Sequence, residues 1–161
     1  MSITVDIDNA SGDDEVPDPS RMHRWVAAAL AGHPGDAELA VRIVDEAESA
    51  ELNGRYRGKN GPTNVLSFPA DLPEAVDIPL LGDLVICAPV VIREAREQGK
   101  GADAHWAHML VHGTLHLLGH DHIDTAEAEA MEALETGIVT ALGFPPPYET
   151  HYPAQTGGGR E

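Results

Sequence analysis

The chain has 161 residues, 42% hydrophobic and only 4% aromatic, with 27 acidic against 10 basic side chains and a formal charge of −17. That is the length of one ordinary domain, with a core built from Ala, Val, Leu and Ile, and no run approaches the ~18 uncharged apolar residues of a membrane span. The single cysteine, Cys87, excludes an internal disulfide framework and fits a reducing, cytoplasmic setting, while the acidic balance on its own argues against nucleic-acid binding, whose phosphate contacts need Lys and Arg.

In chain order, Ile3, Val5 and Ile7 alternate with polar residues and predict a first strand rather than a secretory leader. Residues 13–19 read as a polar loop with two prolines. Ser20 is the predicted cap of a helix running to Ala31, with Met22, Trp25, Val26 and Leu30 on its apolar side. After a turn at His33-Pro34-Gly35, residues 37–44 predict a second strand and residues 45–52 a short helix ended by Asn53-Gly54. Residues 65–68 form a predicted strand between Pro62 and Pro69, residues 71–79 a loop, and residues 82–88 a buried strand. Residues 90–98 read as a helix stopped by Gly99-Lys100-Gly101. Asp103 is the expected cap of a helix to Leu118 that Gly119 ends, and residues 125–142 form a last amphipathic helix. Residues 1–152 are expected to form one domain and residues 153–161 a disordered tail. Without strict βαβ alternation the pattern predicts an α+β fold, a small mixed sheet packed with helices.

Six of the nine histidines fall between His105 and His122. His112 and His116 are four apart, so on a helix they share one face with Cβ atoms roughly 5–6 Å apart, close enough for two imidazoles to hold one ion. Gly119 permits a left-handed exit, after which His122 can return a third nitrogen. Three protein ligands with an open position describe a catalytic site, and all-nitrogen donors suit zinc best, one ion per chain, with other divalent transition metals as alternatives. The spacing H-x3-H-x2-G-x2-H is that of the long metzincin motif, a zincin-like helix, yet the general-base position after the first histidine is Gly113, which argues against peptide hydrolysis. His108, one turn before His112, is expected to orient a ligand rather than bind metal, whereas His105 is expected to be a core residue. His120 competes with His122 as third ligand, and Asp121 is a turn residue or a polar partner of the site.

Away from the histidines, three of the ten basic residues, Arg55, Arg57 and Lys59, lie within five positions that contain no acid. They make a local basic patch on an acidic body. Arg57 offers a planar, permanently charged fork matched to phosphate oxygens. Arg55 and Lys59 read as auxiliary phosphate contacts or as surface charge. No GxxxxGK phosphate loop is present.

Residues 105–122 (HWAHMLVHGTLHLLGHDH) and 52–69 (LNGRYRGKNGPTNVLSFP), with 81–87 (LGDLVIC) between them, resemble the YbeY endoribonuclease family over roughly residues 40 to 145. The departure is His120, where that family usually has Tyr. The resemblance implies zinc on His112, His116 and His122 and a functional arginine at Arg57. It also implies cleavage of single-stranded RNA in small-subunit rRNA 3′-end maturation and ribosome quality control. The implied partners are rRNA and the ribosomal small subunit or its proteins, with neither DNA nor membrane. Two other functions fit the residues: a non-catalytic assembly factor stabilised by zinc, whose acidic surface meets basic proteins, and a metallo-hydrolase of another substrate.

Overall fold

A computed structural model describes residues 2–72, 78–120 and 123–148. The chain order is β1 (Ile3–Asn9), α1 (Pro19–Ala29), β2 (Ala37–Val44), α2 (Glu46–Arg57), β3 (Val65–Pro69), β4 (Leu80–Cys87), α3 (Ala88–Glu97), α4 (Ala102–Leu117) and α5 (Thr125–Ala141). The strands form one mixed sheet in the order β1-β2-β4-β3. β1, β2 and β4 run parallel, and β3 lies antiparallel on the edge beside β4, with Val65 opposite Ile86 and Phe68 opposite Asp83. This is the α+β architecture that the pattern predicts. The proposed tail, 153–161, lies outside the described residues.

Alternation along the strands sends side chains to two different cores. Leu39, Val41, Ile43, Val65, Leu84 and Ile86 face one side and pack with Trp25 of α1 and with Trp106 and Leu110 of α4. Val44, Leu66, Val85 and Cys87 face the other, where they meet Val90 and the partly buried Leu52. Cys87 is fully buried, and burial pushes its thiol above the usual range, so it acts as a small packing residue. Among the described residues no helix is long and apolar enough to cross a membrane.

Three helix ends differ from expectation, each for a local reason. Asp18, not Ser20, caps α1: its carboxylate accepts the Arg21 amide at 2.9 Å and the Ser20 hydroxyl at 3.0 Å, and Pro19 takes the first helical position. α2 passes through Asn53-Gly54 and ends at Gly58, in the left-handed region at φ 66°. Asn53 does not break the helix because its amide donates to the Gly61 carbonyl at 2.9 Å, a bond that ties the following loop back onto α2. Gly101, not Asp103, caps α4, and Asp103 in the first turn instead accepts Arg21 of α1 at 2.5 Å.

Candidate functional site

α4 is the central helix, in contact with α1, α3, α5, β3 and β4. Most of its length is buried, but His112 and His116 sit half-buried on one face. Their ring centroids are 4.6 Å apart at 78°, as the i, i+4 spacing requires. The helix closes with the Gly119 amide bonded to the His116 carbonyl at 3.0 Å and the His120 amide to the Leu115 carbonyl at 3.1 Å. Gly119 has φ 100°. This is the paired closure of a helix that ends on a left-handed residue. His120 follows it and is exposed.

Gly113 explains why the residue between the two histidines is not an acid. It is buried against the sheet, and a Cβ there would meet Leu84 Cδ2 at 2.9 Å and Val65 Cγ2 at 3.2 Å. Its carbonyl accepts the Ser67 hydroxyl of β3 at 3.1 Å. The position after His112 therefore faces the core, where a charged base has no room. Gly113→Ala is expected to lower stability by about 1 kcal/mol despite the better helix propensity of Ala, because neither the fully buried Leu84 nor the stiff Val65 yields freely. Thermal unfolding checks this as a drop of about 2–4 °C.

Behind the histidines stands Glu135 of α5, a residue that the sequence reading passed over. Its side chain is 1% exposed, yet one carboxylate gathers three partners. His112 Nδ1 lies 2.7 Å from Oε2, while His108 Nε2 at 2.8 Å and the Tyr148 hydroxyl at 2.5 Å share Oε1. Burial alone would raise the Glu135 carboxyl, but the hydrogen bonds from His108 and His112 outweigh it and hold the group at about 2. Burial also lowers His108, so that ring stays neutral and donates through Nε2. An ionised Glu135 has only lone pairs to offer, so His112 donates to it through Nδ1, and in the neutral ring that leaves the lone pair on Nε2. That is the tautomer of a metal-ligating histidine held by a carboxylate. His108 thus shares the Glu135 carboxylate with His112.

A second buried chain runs the other way along α4. His105 Nε2 lies 2.8 Å from Glu94 Oε1 of α3, and the Asn64 amide donates to the same carboxylate at 3.2 and 3.3 Å. Asn64 Oδ1 accepts the Val65 amide at 2.6 Å. His105 is therefore a core residue with a polar partner, and its chain anchors the start of β3.

β3 and the end of α2 form the facing wall. A cleft of about 690 Å³ is lined by Arg57, Asn64, Ser67, His112, His116 and His120, among others. The loop between α2 and β3 is fixed by Asn53 and by Ser49, whose hydroxyl accepts the Thr63 amide and donates to the Thr63 carbonyl, each at 3.0 Å. That tether holds Arg57, in the last turn of α2, on the same opening as the histidines. Among the described residues no carboxylate lies within ion-pair distance of Arg57. Arg55 pairs with Glu51 at 2.7 Å on the exposed face of α2, and Lys59 is exposed just past the helix. Asp121 and His122 lie outside the described residues, and among those described no complete set of three ligands converges. The donor chemistry of His112 and His116 nonetheless fits a borderline-soft divalent ion.

Residues 6–143 match the family described as Endoribonuclease YbeY. Two proteins of that name, from Pseudomonas syringae pv. syringae (strain B728a) and Pseudomonas entomophila (strain L48), are 57% and 56% identical to this chain over 147 residues. The alignments cover 91% of this chain in both cases, and 88% and 93% of the relatives. A solution structure from Thermotoga maritima shares the fold with a TM-score of 0.53 at 25% identity, covering 89% of this chain and 92% of that one.

Proposed function

The chain belongs to the endoribonuclease YbeY family, and from that premise we propose that it is a zinc-dependent endoribonuclease of single-stranded RNA. Its place is the cytoplasm, in maturation of the 3′ end of small-subunit rRNA and in ribosome quality control, with the small subunit or its proteins as partners. The observation that carries the reading is the shared cleft, in which a permanently charged fork, Arg57, opens onto the same space as the histidine pair.

His112 and His116, with His122, are the residues that would hold the zinc. When bound, such an ion polarises a phosphoryl oxygen and acidifies water. The chain's own groups do the rest. Glu135 fixes the tautomer and tilt of His112. Arg57 binds non-bridging phosphate oxygens and stabilises the charge that develops on them. The tether from Asn53 and Ser49 ties the loop that follows α2 back onto that helix, at whose end Arg57 stands.

The test is cleavage of a precursor small-subunit rRNA fragment by purified protein beside an identically prepared Arg57→Ala variant. The variant is expected to keep its zinc and to lose about 10²-fold or more in rate. Equal cleavage by both proteins would remove Arg57 from the mechanism. A wild type that retains zinc without turnover would favour the assembly-factor reading.

A further inference from the structure

Next to Arg57 the cleft carries a second side chain whose position needs a reason. Tyr56 is 59% exposed, the most exposed aromatic among the described residues. It stands in the last turn of α2, the segment that the loop tether holds in place. Its ring meets Phe68 of β3 at 5.2 Å between centroids and 73° between planes. The Arg55 guanidinium lies 5.9 Å from its centroid. More than half of the residue remains open to solvent even so. Tyr56 also lines two spaces at once: the cleft, and a groove of about 690 Å³ on the neighbouring sheet face, bordered by Ala40 and Val85. It is the ridge between them.

A large aromatic exposed at a rim costs solubility and contributes little to a core. Its orientation, however, is fixed by Phe68 and by the helix, as a binding platform requires. The charge of the chain adds a second argument. At −17, with Arg55, Arg57 and Lys59 as the one basic run beside the cleft, the protein has few cations with which to hold a polyanion. Attraction to phosphate is weak here and falls with salt. Stacking of bases on aromatic rings depends on neither charge nor sequence, because every base has a π-face.

We propose that Tyr56 is a stacking platform for one unpaired base of the RNA strand, seated beside the phosphate held by Arg57. This rests on the nuclease reading and extends it to substrate choice. A base in a duplex has both faces covered and cannot use the platform. Tyr56 thereby favours single-stranded over double-stranded substrate, while Arg57 alone cannot tell them apart.

The test uses the zinc-loaded full chain and its Tyr56→Phe and Tyr56→Leu variants. Leu keeps an apolar cover over Phe68 without a π-face, and Phe keeps the face without the hydroxyl. The probes are an unstructured oligoribonucleotide carrying 2-aminopurine and the same strand annealed to its complement. Binding is read by fluorescence in the first moments after mixing, and cleavage by initial rates across a salt series. The expected result is that Tyr56→Leu binds the single strand about 5- to 150-fold more weakly than wild type and that its KM for that strand rises in step, with unchanged salt slope and unchanged duplex binding. Tyr56→Phe stays within about twofold of wild type, a small shift beside that range. Wild-type affinity in Tyr56→Leu, or equal loss in Tyr56→Phe, overturns the platform and leaves the nuclease reading standing. A wild type that binds without cleaving, with binding weakened in Tyr56→Leu, supports the platform and overturns the nuclease reading. A wild type that neither binds nor cleaves overturns both.

Discussion

His116→Ala is expected to release the metal and abolish RNA cleavage while leaving a folded protein. His116 is half-buried on the cleft face of α4, so its removal leaves no large cavity in the core. The core side of the helix, with Trp106, Leu110 and Leu117, is untouched. In the proposed ligand set of His112, His116 and His122, what is lost is one of three imidazoles, and two nitrogens hold a divalent ion far more weakly than three. Purified wild type should carry about one zinc and the variant almost none. The same pair separates binding from folding. A ligand bound only to the native state stabilises it in proportion to its affinity, so added zinc should raise the melting temperature of wild type and leave that of the variant unmoved. Zinc content near one in His116→Ala, or undiminished cleavage by it, would remove the histidine pair from the metal site.

Much of this centre is legible in the residues themselves, because it depends on local spacing. The four-residue separation of His112 and His116 survives in the structure as two rings 4.6 Å apart. Gly119 does adopt the left-handed conformation that the turn requires. The apolar stripes of α1 and the alternation in β1 and β2 behave likewise, since a period of 3.6 or 2 is fixed by the backbone. What escapes such reading is whatever depends on distant packing. Asn53-Gly54 looks like a stop, yet Asn53 finds the Gly61 carbonyl and the helix continues for another turn. The edge position of β3 beside β4 follows from tertiary pairing, not from its five residues. Gly113 is visible as a missing base, but its cause, the contact with Leu84 and Val65, is not. Glu135 is the clearest omission. It lies among other acids on α5 and reads as surface charge. The cue was its register, for Met131, Glu135 and Val139 follow one another at four-residue steps along the buried face.

That buried carboxylate carries the second large prediction. Glu135→Gln removes the charge at nearly constant shape, and it places an amide NH₂ opposite the donors that now converge on two oxygens. At least one of the His108, His112 and Tyr148 donors is left without an acceptor around a carboxylate that is itself only 1% exposed. Such a loss costs about 1–3 kcal/mol, and zinc affinity should fall about 10–100-fold as His112 loses its orientation. The pH dependence gives the sign. The Glu135 carboxyl sits at about 2 in the folded chain against an ordinary 4.5. A carboxyl depressed on folding contributes stability that is fully present above about pH 4.5 and is lost as pH falls towards about 2. Its full size is about 3 kcal/mol, since each unit of pKa is worth about 1.4 kcal/mol. Urea unfolding of both proteins with a chelator present, from pH 7 down to pH 3, reads the difference. Wild type should be the more stable by about 3 kcal/mol at neutral pH, and the gap should narrow as acid protonates Glu135. A gap that stays constant with pH would mean that Glu135 acts through shape and hydrogen bonding alone. Absence of any gap would mean that its three close contacts contribute nothing to folding, and His112 would then need another group to set its tautomer.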